Sequence, residues 1–228
     1  MAEKPILSNT EMVRAILEGR KTVTRRVVKP QPMIGSTIYP NIDVAGKVCA
    51  EIWGNGAVKH IKQPYHRGDI LWVRETWLKF PAGGYAYKAD ANSNSEKLRV
   101  ELGYKWHPSI HMPREAARIW LRVTDVRVEQ LQTEFFKQES TIFELRAEGI
   151  DIGETCRECI SAYGRPCCND EDTDDGSECG MLDDVRDDFA RLWDGTIKPA
   201  DRERYGWAAN PWVWVIEFER TERPVTPT

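Results

Sequence analysis

The apolar positions of this chain change their period several times, and each change marks an element. Met12, Val13, Ile16 and Leu17 recur at helical spacing. Ser8-Asn9-Thr10-Glu11 precedes them and fits a capping box, with Ser8 as N-cap and Glu11 reaching back. Gly19 stands where a left-handed residue closes a helix, so a short amphipathic helix is predicted. Residues 21–28 are rich in β-branched side chains until Pro30 and Pro32 break the pattern. Gly68-Asp69 turns into a run from Ile70 to Trp77 that is apolar on both faces near its start, which predicts a central strand. Ile119, Leu121 and Val123 alternate with Trp120, Arg122 and Thr124. The phase then slips at Asp125 to Val126 and Val128, which predicts a bulge or bend. Residues 133–148 read as one or two short helices ending at Gly149. Val185, Phe189, Leu192 and Trp193 repeat the helical spacing up to Gly195. Trp212, Trp214, Ile216 and Phe218 alternate with Val213, Val215, Glu217 and Glu219 as a strand does.

Polar, glycine-containing excursions separate these elements. One, at about 31–63, reads as a hairpin or long loop; another, at about 81–111, has Tyr85, Tyr87 and Trp106 as anchors. A Cys- and Asp-rich insertion lies at about 154–182. Unequal strands with short helices between them and no βαβ rhythm predict the α+β class. They fit a small mixed β-barrel with flanking short helices and loop insertions, in one domain over 1–223 with a frayed tail at 224–228. No internal repeat, phosphate loop or dinucleotide glycine motif is present.

With 228 residues, 41% of them hydrophobic, the chain can bury a substantial core, which excludes wholesale disorder. No apolar run approaches the roughly 20 residues that cross a bilayer. Met1 to Pro5 lacks an apolar signal segment, so a cytoplasmic protein without membrane contact is expected. The formal charge of −4 conceals an uneven distribution. Up to Val126 there are 20 basic and 12 acidic residues, and beyond it 12 basic and 24 acidic. A basic half suits an anionic partner such as nucleic acid. Ordinary solvated charge is the competing reading.

The most informative stretch is Gly19-Arg20-Lys21-Thr22-Val23-Thr24-Arg25-Arg26, half of it cationic and directly after a helix end. Composition alone reads it as a solvated helix C-terminus, where cations complement the dipole. The order of residues, however, resembles the signature of the ASCH domain, a branch of the PUA-like superfamily: Gly-x-Lys-x-x-Thr-x-Arg after the first helix. Gly68-Asp69-Ile70-Leu71-Trp72-Val73, the strand ending at Val128, and Trp212 to Phe218 follow in the family's order. Glu148-Gly149-Ile150 resembles the family's glutamate at the end of its middle helical segment. Arg74-Glu75-Thr76-Trp77 and the stretch from Trp207 through Asn210-Pro211 to Phe218 are similar to ASCH-domain proteins of bacteria and their prophages. The resemblance covers about 150 residues, at 1–30, 64–80, 107–150 and 185–220.

The resemblance implies a compact PUA-like barrel with a cleft beside the motif, and RNA or a nucleoside as ligand. One branch of the family that is similar at Lys21, Thr24 and Glu148 deacetylates acetylcytidine nucleosides. By that likeness Lys21, desolvated, would activate the Thr24 hydroxyl, and Glu148 would handle a proton or position water. Arg26 and Arg25, with Arg20 beside them, would hold a carbonyl, phosphate or oxyanion. The spacing sets a condition: in a regular strand over 21–26, Lys21 and Thr24 face opposite sides. They share a cleft only if the strand starts after Lys21 or a turn or bulge intervenes.

Arg74 is read either as a contact to a phosphate or base edge or as half of an internal ion pair with Glu75 or a neighbour. Arg114 and Arg118 read more readily as loop coating than as cleft residues. Trp53, Trp77 and Trp106 are the stacking candidates, while Trp72, Trp193, Trp212 and Trp214 fall on core faces. Cys156 and Cys159 have the spacing of two ligands to one tetrahedral Zn²⁺, and Cys167, Cys168 and Cys179 supply candidates for the rest. Four of these five would make a structural zinc knuckle; free thiols in a disordered insertion are the alternative. The run from Asp170 to Asp188 holds ten acidic residues and one basic, the composition of a solvated stretch. Three functions stand against each other: an RNA- or nucleoside-binding module, an amidohydrolase deacylating a modified cytidine-like nucleoside, and a phage accessory protein whose excursions bind a protein partner.

Overall fold

The computed structural model describes residues 2–32, 37–42, 48–54, 57–132, 144–150 and 180–224. It mixes helices and strands in the α+β manner. Five strands form one sheet in the order β1-β6-β9-β10-β2: β1 is Glu3–Leu7, β2 Val23–Val27, β6 Ile70–Arg74, β9 Trp120–Gln130 and β10 Trp212–Thr221. Packing divides the chain into two units, Met1–Thr22 with Tyr65–Val126 and Ile216–Thr228, and Val23–Pro64 with Arg127–Val215.

In the first unit, β6 is central, as its two apolar faces predict. Ile70, Leu71 and Val73 are at most 4% exposed. On one side it pairs in parallel with β1, Glu3 opposite Ile70 and Leu7 opposite Arg74. On the other it runs antiparallel to β9, Leu71 opposite Leu121. The short β1 left no periodic signal to read, yet it moves the first helix by one residue. Ser8 donates its backbone N–H to the Arg74 carbonyl and so extends the sheet. The cap of α1 (Thr10–Leu17) therefore falls to Asn9, whose side chain accepts from the Met12 N–H at 2.8 Å. This replaces the expected Ser8–Glu11 box. Val13 and Ile16 bury the apolar stripe, and Gly19 closes the helix at φ +76°.

The excursion at 81–111 is more ordered than its composition suggests. β7 (Trp77–Lys79) and β8 (Tyr85–Tyr87) form a hairpin, followed by α2 (Ser93–Glu101) under an Asn92–Ser95 capping box. Strands of three residues are too short to show a period, and α2 buries no residue, so neither announced itself. Ile70, Trp77, Met112, Ala116, Ala117 and Trp120 form the core beside them.

The second unit holds β2 and a separate antiparallel meander, β3 (Thr37–Ile42), β4 (Val48–Gly54) and β5 (Ala57–Lys62), where a hairpin or long loop was expected. Its core gathers Val23, Leu131, Leu145, Phe189, Trp193, Val213 and Val215. The helix α3 spans Gly180–Thr196 and ends near α4 (Arg202–Tyr205), where the Trp193 indole N–H donates to the Tyr205 carbonyl at 2.8 Å. A strand was expected to end at Val128, but β9 runs to Gln130.

Candidate functional site

The strand condition on the motif is met, because β2 begins at Val23 and leaves Lys21 and Thr22 outside the alternation. The turn after α1 reaches further than expected: the backbone N–H groups of Arg20 and Lys21 both donate to the Ala15 carbonyl, at 2.9 and 3.0 Å. Lys21 is 3% exposed, Thr24 4%, Arg25 3% and Glu148 5%. These residues do not coat a solvated helix end. Lys21 belongs to the first unit, and Thr24, Arg25 and Glu148 to the second.

Within the second unit the geometry centres on Arg25. Alternation along β2 places Val23, Arg25 and Val27 on one face and Thr24 and Arg26 on the other. Val23 and Val27 pack on the core that contains Leu131 and Leu145, so Arg25 enters between apolar neighbours. Residues 144–147 form one helical turn, continued by Glu148 N–H to the Glu144 carbonyl at 3.0 Å and closed by Gly149 at φ +89°. That turn sets Glu144 and Glu148 four residues apart on one helical face. Arg25 donates to both, to Glu148 Oε1 at 2.6 Å and to Glu144 Oε2 at 2.7 Å, and to Glu129 Oε1 at 3.3 Å. Arg127 joins the edge of the cluster, 3.2 Å from Glu129 and 3.4 Å from Glu144. Burial by itself would lower the Arg25 pKa, but Glu148, Glu144 and Glu129 outweigh it and hold the guanidinium above its ordinary value.

The first unit carries a second guanidinium network, built on the predicted Arg74-Glu75 strand end. Glu75 is 1% exposed and takes two bonds from Arg118, at 2.9 and 3.0 Å. Arg118 also donates to Asp90, at 2.5 and 3.0 Å, and lies 4.0 Å from the Tyr87 ring centroid. The expected ion pair of Glu75 is therefore with a neighbour 43 residues away, and Arg118 is not loop coating. Burial pushes the Glu75 carboxyl above the usual range, against the opposing pull of Arg118. Arg118 itself rises above its ordinary value because Glu75 and Asp90 together overcome its burial. Asp69 shows the reverse balance: burial would raise it, but Lys4 and the N–H groups of Ala2 and His66 hold it down.

The remaining candidates fall in different settings. Arg20 pairs with Glu18 at 2.6 Å at the surface. Arg26 is half-buried on the Thr24 face of β2. Arg74 donates to the Ile110 carbonyl and lies over Trp72, 5.5 Å from the ring centroid. Cys156, Cys159, Cys167, Cys168 and Cys179, and the zinc they would bind, lie outside the described residues, as does most of the insertion at 154–182. Among the described residues no three His, Cys, Asp or Glu side chains are grouped to hold a metal ion. No helix among them is long and apolar enough to cross a membrane. The sequence reading missed Glu129, Glu144 and Asp90; the four-residue spacing from Glu144 to Glu148 was the one signal available for the second of these.

Compared with known proteins, the chain matches no family model, no curated protein and no solved structure.

Proposed function

We propose that this protein is an ASCH-type, PUA-like barrel protein that binds RNA or a nucleoside through Lys21, Thr24 and Arg26, with Glu148 as the family's acidic partner. What supports the reading is the burial of Lys21 and Thr24, at 3% and 4% exposure, within a motif whose composition belongs on a solvated surface. Removing an ammonium from water costs several kcal/mol before compensation, and such groups concentrate at functional sites. Arg25 has a different role from the one first expected. Engaged by three carboxylates, it fixes the strand and the helical turn that carries Glu148, and leaves ligand contact to its neighbours.

The buried amine and hydroxyl also favour a second reading, deacylation of a modified cytidine-like nucleoside. In it the Thr24 oxygen bonds the acyl carbon and gives its proton to Lys21 as base, and the acyl–nitrogen bond breaks as that proton passes to the leaving amine. Water then releases the acyl group as the acid and restores the Thr24 hydroxyl. One set of assays separates the two. Lys21→Met keeps the stem and removes the charge, and Thr24→Val keeps the shape and removes the hydroxyl. With circular dichroism unchanged, binding predicts that Lys21→Met lowers affinity for single-stranded RNA about tenfold and flattens its salt dependence. Turnover of acetylcytidine by the wild type, lost in both variants, would assign the enzyme. Unaltered RNA affinity and salt dependence in both variants, with no turnover by the wild type, would overturn the motif-centred reading.

A further inference from the structure

The first unit contains a cleft of about 430 Å³ that the motif does not use. Its volume falls within the range of about 300–1,000 Å³ that small organic ligands occupy. Phe80, Tyr85, Tyr87 and Trp106 give it an aromatic wall. The opposing wall is one face of α2 and its C-cap: Ser95, Leu98, Arg99 and Leu102 recur at helical spacing over a length of about 10 Å. Leu98 and Leu102 are 55% and 59% exposed, because α2 buries nothing against the rest of the unit. Val100, on the far side of the same helix, is 64% exposed and does not line the cleft. The two leucines are thus apolar surface left in water opposite a set of rings, which favours burial under a further apolar body.

The polar atoms of both walls are committed to the protein. The Tyr85 hydroxyl donates to Glu115 at 2.8 Å, and the Tyr87 hydroxyl to the Ala116 carbonyl at 2.7 Å. The Trp106 indole N–H donates to Glu96 at 2.8 Å. Ser95 Oγ donates to the Asn92 carbonyl and accepts from the Asn92 N–H, at 3.0 and 2.9 Å. These bonds turn ring faces and hydrocarbon toward the cleft. The charged groups at its border are paired in the same way. Arg118 is held by Glu75 and spans both oxygens of Asp90, and Arg99 bonds Glu96 and the Tyr104 carbonyl. A cation entering the cleft meets a guanidinium beside each carboxylate, and an anion meets a carboxylate beside each guanidinium. Neither gains a free partner for the water it gives up.

We infer that this cleft binds an uncharged apolar molecule of two or three rings, sandwiched between the aromatic wall and the leucines of α2. Ring contacts and the burial of Leu98 and Leu102 hold it, and the paired charges at the border exclude ions of either sign. The inference stands on the geometry of the first unit alone and does not depend on the motif or on nucleoside binding.

The probe is N-phenyl-1-naphthylamine, an uncharged dye whose fluorescence rises when it leaves water. Titrated into the full chain, it should saturate at one dye per chain with a Kd between about 1 and 50 µM. Naphthalene should displace it, while 2-naphthoate and 2-naphthylmethylammonium, which add a charge of either sign to the same rings, should compete at least about tenfold less well. Leu98→Glu and Leu102→Glu should each abolish dye binding. Val100→Glu, the same change on the opposite face of α2, should leave it unaltered. All three sites are exposed, so the variants fold, and unchanged circular dichroism checks this. Absence of saturable dye binding, either ion competing as well as naphthalene, or equal effects of Leu98→Glu and Val100→Glu would each overturn the inference. If the dye is silent and Leu98→Glu turns a dimer into a monomer in sedimentation, the leucines serve a second copy of the chain and the inference falls.

Discussion

Two arginines organise the two units, and they differ in what surrounds them. Arg25 is closed in, its side chain 1% exposed, with carboxylates from β9 and from the turn at 144–150 as partners. Arg118 reaches from a buried carboxylate to a half-exposed one, and its guanidinium lines an open cleft. Both are held above their ordinary pKa by acidic neighbours that overcome burial. The difference lies in the outer partner. Where every carboxylate is drawn inward the network fastens segments together, and where one faces water the network borders a cleft.

That contrast is tested most severely by deletion. Arg25→Ala leaves buried carboxylates without their cation and should cost about 3–5 kcal/mol in urea unfolding. Arg25→Lys should recover little of it, because an ammonium lacks the planar fork that spans Glu148 and Glu144 together. Arg118→Ala should cost less, about 1–2 kcal/mol, since water reaches its outer half and screens that pair. Equal losses for the two would end the distinction between a fastening network and a bordering one.

A smaller effect separates the carboxylates. The folded pKa of Glu75 is raised, so the native state binds its proton more tightly than the unfolded chain does. Stability from this group is therefore present at acid pH and declines as pH rises from about 4.3 through the raised folded value. Asp69 acts in the opposite sense, with stability present above about 3.9 and lost as pH falls through its lowered folded value. Thermal unfolding from pH 3 to pH 7, compared for the wild type and Glu75→Gln, checks the sign: the variant should lack the decline above pH 4. A decline of the same size in Glu75→Gln would assign it to another group.

Much of the fold was legible where an element was long enough to repeat its pattern. β6, β10 and α1 declared themselves through runs of apolar residues, and Gly19 and Gly149 through the left-handed conformation each adopts. The misses have simple causes. β7 and β8 have three residues each, too few for two periods, β1 (Glu-Lys-Pro-Ile-Leu) does not alternate apolar with polar, and the apolar residues of α2 are not buried. The N-cap was misplaced by one residue because a tertiary demand, Ser8 joining the sheet beside Arg74, outranked the local box.

The sequence by itself determined the α+β class, the longer strands and helices, the left-handed glycines and the residue types of the motif, since periodicity, turn chemistry and composition are local. It also carried the likeness on which the proposed function rests. Only the tertiary structure decided that Arg25 meets Glu148 across 123 residues, that Glu75 takes Arg118, and that Arg118 joins Asp90 at the border of an aromatic cleft. Ion pairs are chosen by which charges the packing brings within about 3 Å while excluding water. That choice depends on the path of the whole chain, which no short window of residues contains.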